Sequence, residues 1–379
     1  MTSRSLSVLA VIVAGAALGG APAAVAAGRP SVACGETIMQ DIRLGDSLVD
    51  CPGSGLVIGA DGVTVDLGGH TIDGDSVGDD VGIDLQGHRG VTVMNGRVRE
   101  FREGVLVVGG SETAVRGLTS AEQGHAGILV DGSGQVSITD SVVRDSGAGI
   151  VVTRSDSVLV DDNRVAGGDS GGIAVFDSRR VRVSGNTVAG TRDGPGVGLL
   201  NGSSDDVVTD NRVSRNAAGV DLDDGASGNL VTGNSLTDND SGVIVDVGTH
   251  ANRVLDNQID RSRFEGIAVV GSDGNVIAGN QVSRNGGLDA AGGIVVIPWP
   301  DDPAQTSDAN TLVENLAIGN AGDGIFVGGG QSGNLLRGNR ADRNSSLGIN
   351  AALGTIDGGG NLAARNGDSR QCVGVACGQ

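Results

Sequence analysis

The sequence predicts an all-β solenoid, a single-stranded parallel β-helix of about twelve coils, and three observations indicate this fold. A glycine followed by an aliphatic residue recurs about every 23 residues, a period typical of stacked repeats. Apolar residues between these marks alternate with period two. Asparagines recur with the same long period. The marks are Gly82-Ile83, Gly104-Val105, Gly127-Ile128, Gly149-Ile150, Gly172-Ile173, Gly198-Leu199, Gly219-Val220, Gly242-Val243, Gly266-Ile267, Gly293-Ile294, Gly324-Ile325 and Gly348-Ile349.

One repeat, from Gly149 to Gly171, shows how the chain fills a coil. Residues 150–152 and 158–160 form two short apolar runs, a third begins at Asn163, and Gly167-Gly168 turns the chain towards the next mark. Alternation with period two indicates strands and excludes helices. Three short strands and three turns account for about 22 residues, which is one turn of a parallel β-helix.

Two series of asparagines predict ladders of stacked amides along the solenoid axis. Asparagine tolerates the left-handed backbone of turns, and identical amides about 4.8 Å apart can form hydrogen bonds from coil to coil. Their repetition indicates a structural role. The first series is Asn163, Asn186, Asn211, Asn234, Asn257, Asn280, Asn315, Asn339 and Asn361, and the second is Asn216, Asn239, Asn285, Asn320, Asn344 and Asn366.

Composition and charge restrict the partners. The 379 residues include 68 Gly, one Trp, no Tyr and no Lys, so the core is expected to consist of Val, Ile, Leu and Ala. The formal net charge of −20 argues against nucleic acid, which requires a basic surface. Calcium ions or neutral glycans are easier to accommodate.

The N-terminus predicts export. Residues 1–26 have the pattern of a secretory signal peptide, with Arg4 before an apolar stretch and Ala24-Val25-Ala26 at the cleavage site. No second apolar segment follows, so the mature chain is expected to be secreted and to have no membrane span. We assign 27–54 to an N-terminal cap, 55–366 to the β-helix and 367–379 to a C-terminal cap.

The four cysteines are expected to stabilise the two caps. Export places them in an oxidising compartment, where Cys34 would pair with Cys51 and Cys372 with Cys377, although four cysteines allow three connectivities. A zinc site is disfavoured because the two pairs lie at opposite ends of a long array.

The Gly-Ile-x-Val and x-Gly-Asn-x-Val motifs, together with the opening segment 51–74, resemble the right-handed parallel β-helix superfamily over residues 55–366. That group includes pectate lyases, polygalacturonases, alginate epimerases and NosD-like periplasmic accessory proteins. The resemblance implies a right-handed solenoid and, if the protein is an enzyme, a polysaccharide lyase, glycoside hydrolase or epimerase. No Asp-Pro-His motif or lysine occurs, and the histidines are dispersed, so no single reaction is selected.

An acidic stretch is the first candidate site. It comprises Asp205, Asp206, Asp210, Asp221, Asp223 and Asp224, with Asp246 one coil later. Asp223 and Asp246 lie at equivalent positions in adjacent coils and are expected to stack on the outer surface. Three interpretations remain open: a solvated acidic face, a calcium site at Asp223 and Asp246, or a pair of catalytic carboxylates. The catalytic candidates are Asp221, Asp223, Asp224, Arg212 and His125.

The second candidate is an insertion between Ile297 and Asn310 that contains the single tryptophan. Trp299 follows Pro298 and precedes Asp301 and Asp302, so an indole beside carboxylates could stack on a sugar ring. Alternatively, Trp299 covers an apolar seam on the coil wall. Mutation of Trp299 is therefore the most informative single substitution.

A third feature is an apolar column one residue after the aliphatic mark. If it points outwards and is exposed, it marks a contact surface. Its members are Leu106, Leu129, Val151, Ala174, Leu200, Ile244, Ala268, Val295 and Phe326.

These observations lead to two functional hypotheses. The first is a secreted protein that binds or processes an extracellular polysaccharide, with calcium as the possible cofactor. The second is a structural or accessory solenoid of adhesive or NosD-like type, without a small substrate. The sequence alone leaves enzyme status and oligomeric state open.

Overall fold

Parallel strands wind through residues 32–286 and 292–378, which are the residues that the computed structural model describes. The predicted signal peptide lies outside them. The described residues form no helix, and so none that is long and apolar enough to cross a membrane. The first sheet, sheet 1, has fifteen strands: Glu36–Ile38, Leu56–Ile58, Val81–Asp84, Glu103–Val108, Ala126–Asp131, Ala148–Thr153, Gly171–Phe176, Pro195–Leu200, Ala218–Leu222, Ser241–Val245, Ile267–Val270, Gly292–Ile297, Asp323–Val327, Ile349–Ala351 and Cys372–Val373.

The other strands form two further walls, which the long strands Thr92–Arg99 and Ala114–Ala121 connect because each runs through both. Sheet 2 also contains Ile42–Arg43, Thr64–Asp66, Ser137–Thr139, Leu159–Asp161, Arg182–Ser184, Val207–Thr209, Leu230–Thr232, Arg253–Leu255, Val276–Ala278, Thr311–Val313, Leu335–Arg337 and Ile356–Asp357. Sheet 3 also contains Leu48–Cys51, Thr71–Gly74, Val142–Arg144, Arg164–Ala166, Thr187–Ala189, Arg212–Ser214, Ser235–Thr237, Gln258–Asp260, Gln281–Ser283, Leu316–Ile318, Arg340–Asp342, Asn361–Ala364 and Cys377–Gly378.

The three-strand coil is confirmed, but the number of coils is larger than predicted. Fifteen strands in sheet 1 delimit about fourteen turns, against the predicted twelve. The three additional strands begin at Glu36, Leu56 and Cys372. They lie outside the run of marks used for the count. Regular pairing therefore extends through residues assigned to the two caps.

One predicted register was wrong. The mark at Gly198-Leu199 is not equivalent to its neighbours, because Val197 pairs with Ile173 in the coil before it and with Val220 in the coil after it. The equivalent mark is Gly196-Val197. Gly196 and Gly198 are two residues apart, so both fit the period-two alternation of side chains. The sequence alone therefore does not distinguish the two possible marks.

Glycine is required at the mark because adjacent coils approach closely there. A Cβ at Gly149 would lie 2.2 Å from the carbonyl oxygen of Gly172, and a Cβ at Gly242 would lie 2.3 Å from that of Gly266. Contacts this short would force the backbone apart, so the strict recurrence of glycine follows from packing.

The predicted asparagine ladders are confirmed, and the structure contains a third. In the first ladder, the backbone N–H of Asn257 donates to Oδ1 of Asn280 at 3.0 Å, and the pattern repeats in each coil. The second ladder has Ser262 in place of one asparagine. The third ladder, which the sequence analysis missed, consists of Asn229, Asn252, Asn275, Asn310 and Asn334, with Asp206 at its N-terminal end.

Both predicted disulfides are present, between Cys34 and Cys51 and between Cys372 and Cys377. The first links the strand Leu48–Cys51 to the segment before the first strand of sheet 1, so it fixes the N-terminal coil. Replacing Cys34 and Cys51 with serine is expected to lower the free energy of unfolding by about 3 kcal/mol, because the disulfide closes a long loop in the unfolded chain.

Urea unfolding of the double variant measures this effect. The matched control is Cys372→Ser with Cys377→Ser, which opens a much shorter loop and should cost only about 2 kcal/mol on the same model. A larger loss for the C-terminal pair would contradict the loop-closure explanation.

Candidate functional site

Asp221 lies at the centre of the candidate site, on the outer face of sheet 1. Its neighbours in the strand Ala218–Leu222, Val220 and Leu222, are fully buried in the core, so alternation directs the Asp221 side chain outwards. Its partners in adjacent strands are Gly198 and Ile244. Gly198 is the direct partner of Asp221 in the preceding coil. Because glycine has no side chain, Gly198 leaves Asp221 uncovered on that side.

Asp223 and Asp246 begin the first turn after sheet 1 in two successive coils. The backbone N–H of Asp223 donates to the carbonyl of Leu199 at 3.1 Å, and that of Asp246 donates to Leu222 at 2.8 Å. These equivalent positions confirm the predicted stacking, with a spacing of about 4.8 Å between coils. Asp224 follows at an exposed position.

Three carboxyls of this cluster, those of Asp221, Asp223 and Asp246, have raised pKa values. Burial raises the pKa of Asp221 to about 7, assisted by the negative charges of Asp223, Asp246 and Asp224. The side chain is partly exposed, yet its Oδ1 is buried and has no hydrogen-bond partner among the described residues. Burial also raises the pKa of Asp246 to about 6 and shifts the pKa of Asp223 upwards. We therefore expect the cluster to carry at least one proton near neutral pH.

Trp299 lies on the same edge of the solenoid, two coils beyond Asp246. A Cβ placed on Gly271 would be 3.2 Å from Cβ of Trp299 and 3.5 Å from Cγ2 of Val247, the residue after Asp246. Two coil spacings correspond to about 10 Å along the axis. Trp299 is half-buried, and its predicted roles as a seam contact and as a sugar-stacking residue both stay open.

The insertion that carries Trp299 is a small ordered turn. The backbone N–H of Trp299 donates to the carbonyl of Gln305 at 2.9 Å, and the backbone N–H of Gln305 donates to the carbonyl of Asp302 at 2.9 Å. Asp302 also accepts from the backbone of Ala304 at 3.1 Å. Asp301 and Asp302 are exposed at the end of this turn. The backbone bonds hold the tryptophan in place at the base of the turn.

Other predicted candidates lie elsewhere. Asp206 is only 1% exposed and belongs to the third ladder. Asp205 and Asp210 occupy exposed turn positions. Arg212 begins a strand of sheet 3, on another wall, and His125 lies four coils away towards the N-terminus. Asp221, Asp223, Asp224 and Asp246 therefore lie close together, and Trp299 lies two coils further along the same edge. We call these five residues the acidic site.

No group of three or more His, Cys, Asp or Glu side chains within 32–286 and 292–378 is arranged to hold a metal ion. The acidic site places Asp223 and Asp246 in adjacent coils, and calcium binding there stays a prediction.

The apolar outer column is real but does not form a continuous exposed stripe. Val151, Ala174, Ala268 and Val295 are buried, whereas Leu106, Leu129, Ile244 and Phe326 are partly exposed. The assignment of Leu200 to this column was wrong. Gly198 occupies the column position in that coil, and Leu200, two residues further along the strand, pairs with Phe176. Gly198 and Asp221 interrupt the column at the acidic site.

Two protein-family models match the chain. One describes a right handed beta helix region and matches residues 103–259. The other describes a periplasmic copper-binding protein (NosD) and matches residues 199–362. No curated protein sequence matches this chain.

Solved structures share the fold at low sequence identity. The A-module of the mannuronan C-5 epimerase AlgE4 from Azotobacter vinelandii is 16% identical, with 86% of this chain and 91% of that chain covered and a TM-score of 0.54. A mutant of the periplasmic alginate epimerase AlgG is 16% identical, with coverages of 85% and 76% and a TM-score of 0.52. The Dettilon tailspike protein is 16% identical with a TM-score of 0.51, with 86% of this chain but only 63% of the tailspike covered.

The ligand types available in the NosD-matched segment do not suit copper. Residues 199–362 contain one histidine, His250, and neither methionine nor cysteine. Imidazole, thiolate and thioether are typical copper ligands, and this segment offers one such side chain. What the match supports is the repeat architecture.

Proposed function

We propose, from the premise that the chain is a right-handed parallel β-helix repeat protein, that it binds an extracellular polysaccharide at the acidic site. One observation carries the proposal: Asp223 and Asp246 occupy equivalent positions in successive coils next to Asp221, and the half-buried Trp299 lies two coils further along the same edge. Two of the similar structures are epimerases of mannuronan or alginate. At 16% identity they support the fold, so the residues of this chain must support the function.

The chemistry of the acidic site suits a neutral glycan. The indole of Trp299 offers a face for a sugar ring, and carboxyl groups exchange hydrogen bonds with sugar hydroxyls. A carboxyl that is protonated near neutral pH, as at Asp221, can also donate. The net charge of −20 and the cluster of carboxylates would repel an acidic polymer.

Export is part of the proposal. Two disulfides fit an oxidising compartment, either outside the cell or in the periplasm, and the signal-peptide pattern at residues 1–26 agrees with it. Proton exchange at Asp221 and Asp246 is also what hydrolysis of a glycosidic bond requires, so the same site is the place to test for catalysis.

A glycan array tests the proposal, followed by titration with the best neutral oligosaccharide. Trp299→Ala is expected to weaken binding by up to about tenfold, because aromatic stacking contacts are worth about 0.5–1.5 kcal/mol. Wild-type affinity should fall as the pH rises through about 7, because Asp221 loses the proton that it donates. Asp221→Asn should retain binding and remove that pH dependence.

Phe264→Ala is the matched control, since Phe264 is an exposed aromatic residue outside the acidic site. Repeating the titration with added Ca²⁺ tests the predicted role of Asp223 and Asp246. If no glycan binds, or if Trp299→Ala and Phe264→Ala behave alike, the proposal fails and the alternative of a non-catalytic structural or accessory solenoid is favoured. If a glycan does bind, reducing-end and double-bond assays separate hydrolysis from elimination.

A further inference from the structure

The outer face of sheet 2 is apolar over six successive coils, from the strand Val207–Thr209 to the strand Leu335–Arg337. The middle residue of each of these strands is fully buried in the core, so alternation directs the residues on either side of it outwards. We call the outer face of these six strands the sheet 2 patch. Its apolar members, all partly exposed, are Val207, Leu230, Leu255, Val276, Ala278, Val313 and Leu335.

Sheet 3 shows that this composition is not general. In the same six coils, the outward residues of sheet 3 are hydroxyl, amide and charged side chains, with Leu316 and Ile318 as the only aliphatic ones. The remaining residues of the sheet 2 patch are Thr209, Thr232, Arg253, Thr311 and Arg337. The patch thus contains no carboxylate, although the chain has 46 Asp and Glu residues. A contiguous apolar patch with polar surroundings marks an interaction site.

The shape and the charge of the sheet 2 patch favour a second copy of this chain as the partner. A regular sheet face packs well on another sheet face at a distance of about 10 Å, and a second copy offers such a face. Each copy carries a formal net charge of −20, so two copies repel each other least where no carboxylate lies between them. The patch has no aromatic ring on which a sugar could stack, which disfavours a glycan there.

The size of the sheet 2 patch is sufficient for a weak dimer. Six coils at about 4.8 Å span about 30 Å with their side chains, and the wall with its flanking turn residues is about 15–20 Å wide. The patch therefore offers roughly 500 Å² on each copy, or about 1,000 Å² in total, which is near the lower limit for a specific interface. We expect a dissociation constant on the order of 10 µM, because interfaces of this size are typically transient.

Two charged residues near the middle of the patch select the orientation of the copies. Arg253 begins a strand of sheet 2, and Asp256 follows the end of the same strand, at the opposite edge of the sheet. Both side chains are exposed and form no ion pair within the described part of the chain. A two-fold axis parallel to the solenoids places the start of each strand opposite the end of its counterpart, so Arg253 of each copy lies beside Asp256 of the partner. An antiparallel arrangement centred on this strand would bring like charges together.

We propose that the sheet 2 patch is the interface of a symmetric dimer, in which the solenoids of two copies lie side by side and run in the same direction. Removal of the aliphatic side chains from water stabilises the dimer. The two pairs of Arg253 with Asp256 fix its register and orientation. The interface includes no residue of the acidic site, so the dimer does not depend on glycan binding.

Sedimentation velocity of the chain recovered after export tests the proposal at concentrations of about 1 to 200 µM, which bracket the expected dissociation constant. The wild type should pass from monomer to dimer over this range. Leu255→Glu should weaken the dimer about 100-fold or more, because the symmetry brings two carboxylates into an apolar contact. Gln258→Glu is the matched control, since it adds the same charge in the same coil on the outer face of sheet 3. It should leave the dissociation constant within about twofold of the wild type.

A second variant keeps the test valid if the introduced charge disturbs folding. Leu230→Thr combined with Leu255→Thr introduces the β-branched residue that the patch already contains at Thr232. It should weaken the dimer about tenfold or more, because apolar area is lost from both copies. Circular dichroism at about 1 µM, below the expected dissociation constant, verifies that each variant is folded.

A charge exchange tests the orientation. Arg253→Glu should weaken the dimer about tenfold, because it places two carboxylates together at each edge of the interface. Adding Asp256→Arg to that variant should restore the dissociation constant to within about threefold of the wild type, a rescue that requires a second copy as the partner. The proposal is overturned if the wild type stays monomeric at the highest concentration, if Leu255→Glu and Gln258→Glu dimerise equally well, or if the charge exchange does not rescue the dimer.

Discussion

Replacing Asp206 with asparagine is expected to stabilise the protein strongly at and above neutral pH. Asp206 occupies a position of the third ladder that is asparagine in the following coils. Its Oδ1 accepts from the backbone of Val181 at 2.7 Å, whereas its Oδ2 is buried and has no hydrogen-bond partner among the residues that the structure describes. In Asn229 and Asn252, the side-chain nitrogen donates to a backbone carbonyl of the previous coil. An aspartate can make that bond only when it is protonated.

The pKa of Asp206 gives the sign and the range of the effect. Burial raises its pKa to about 7, and the charge of Asp205 adds to the rise. The folded state therefore holds a proton that the unfolded state has released between about pH 4 and 7. Stability is fully present below pH 4 and is lost as the pH rises to about 7. The loss is on the order of 4 kcal/mol, and asparagine avoids it because it does not titrate.

Urea unfolding from pH 4 to 9 measures this difference. The Asp206→Asn variant should gain over the wild type progressively between about pH 4 and 7, and the gain should then stay constant. Asp210→Asn, a change of the same type at an exposed turn four residues away, is the control and should alter stability by under about 0.5 kcal/mol. A gain that does not vary with pH would show that Asp206 is ionised in the folded state.

The position of Asp206 in the third ladder can be read from the sequence. Asp206 precedes Asn211 by five residues, as Asn229 precedes Asn234 and Asn252 precedes Asn257. The constant offset identifies the third ladder and places Asp206 within it. Adjacency in sequence instead suggests that Asp206 shares a surface with the neighbouring acidic residues. In a coil this short, however, one residue can point inwards while the next is exposed.

Other features could not be predicted from one sequence. The period brings Asp223 and Asp246 to equivalent positions, and this prediction was confirmed. The contact between His125 and Glu103 depends on how the turn between sheets 3 and 1 folds, which period two alternation does not determine. The placement of Trp299 against Gly271 depends on the conformation of an insertion that breaks the repeat. Regular strands were therefore predictable, and the conformations of the turns were not.

Removing one amide from the middle of the first ladder is expected to be among the most destabilising single changes in the chain. Oδ1 of Asn257 accepts from the backbone N–H of Asn234 at 3.0 Å and from its Nδ2 at 2.9 Å. Nδ2 of Asn257 donates to the carbonyl of Val231 and to Oδ1 of Asn280, each at 3.0 Å. Asn257→Ala removes the acceptor of the buried Asn234 backbone N–H and the side-chain donor to the Val231 carbonyl. At about 1–3 kcal/mol for each unsatisfied group, we expect a loss of about 4 kcal/mol in the free energy of unfolding.

The adjacent residue provides the control, because Gln258 is exposed on the outer face of sheet 3 and Gln258→Ala should change stability by under about 0.5 kcal/mol. Asn257→Asp tests whether a buried carboxyl at a ladder position destabilises the fold when it ionises. It places such a carboxyl in the first ladder, as Asp206 does in the third. Its stability should approach that of the wild type at pH 4 and decline as the pH rises, whereas Asn257→Ala should be destabilised at every pH. If Asn257→Asp were as stable as the wild type at pH 8, water or a rotated side chain would have to satisfy the buried carboxylate, and the hydrogen bonds between coils would not be what holds these turns in register.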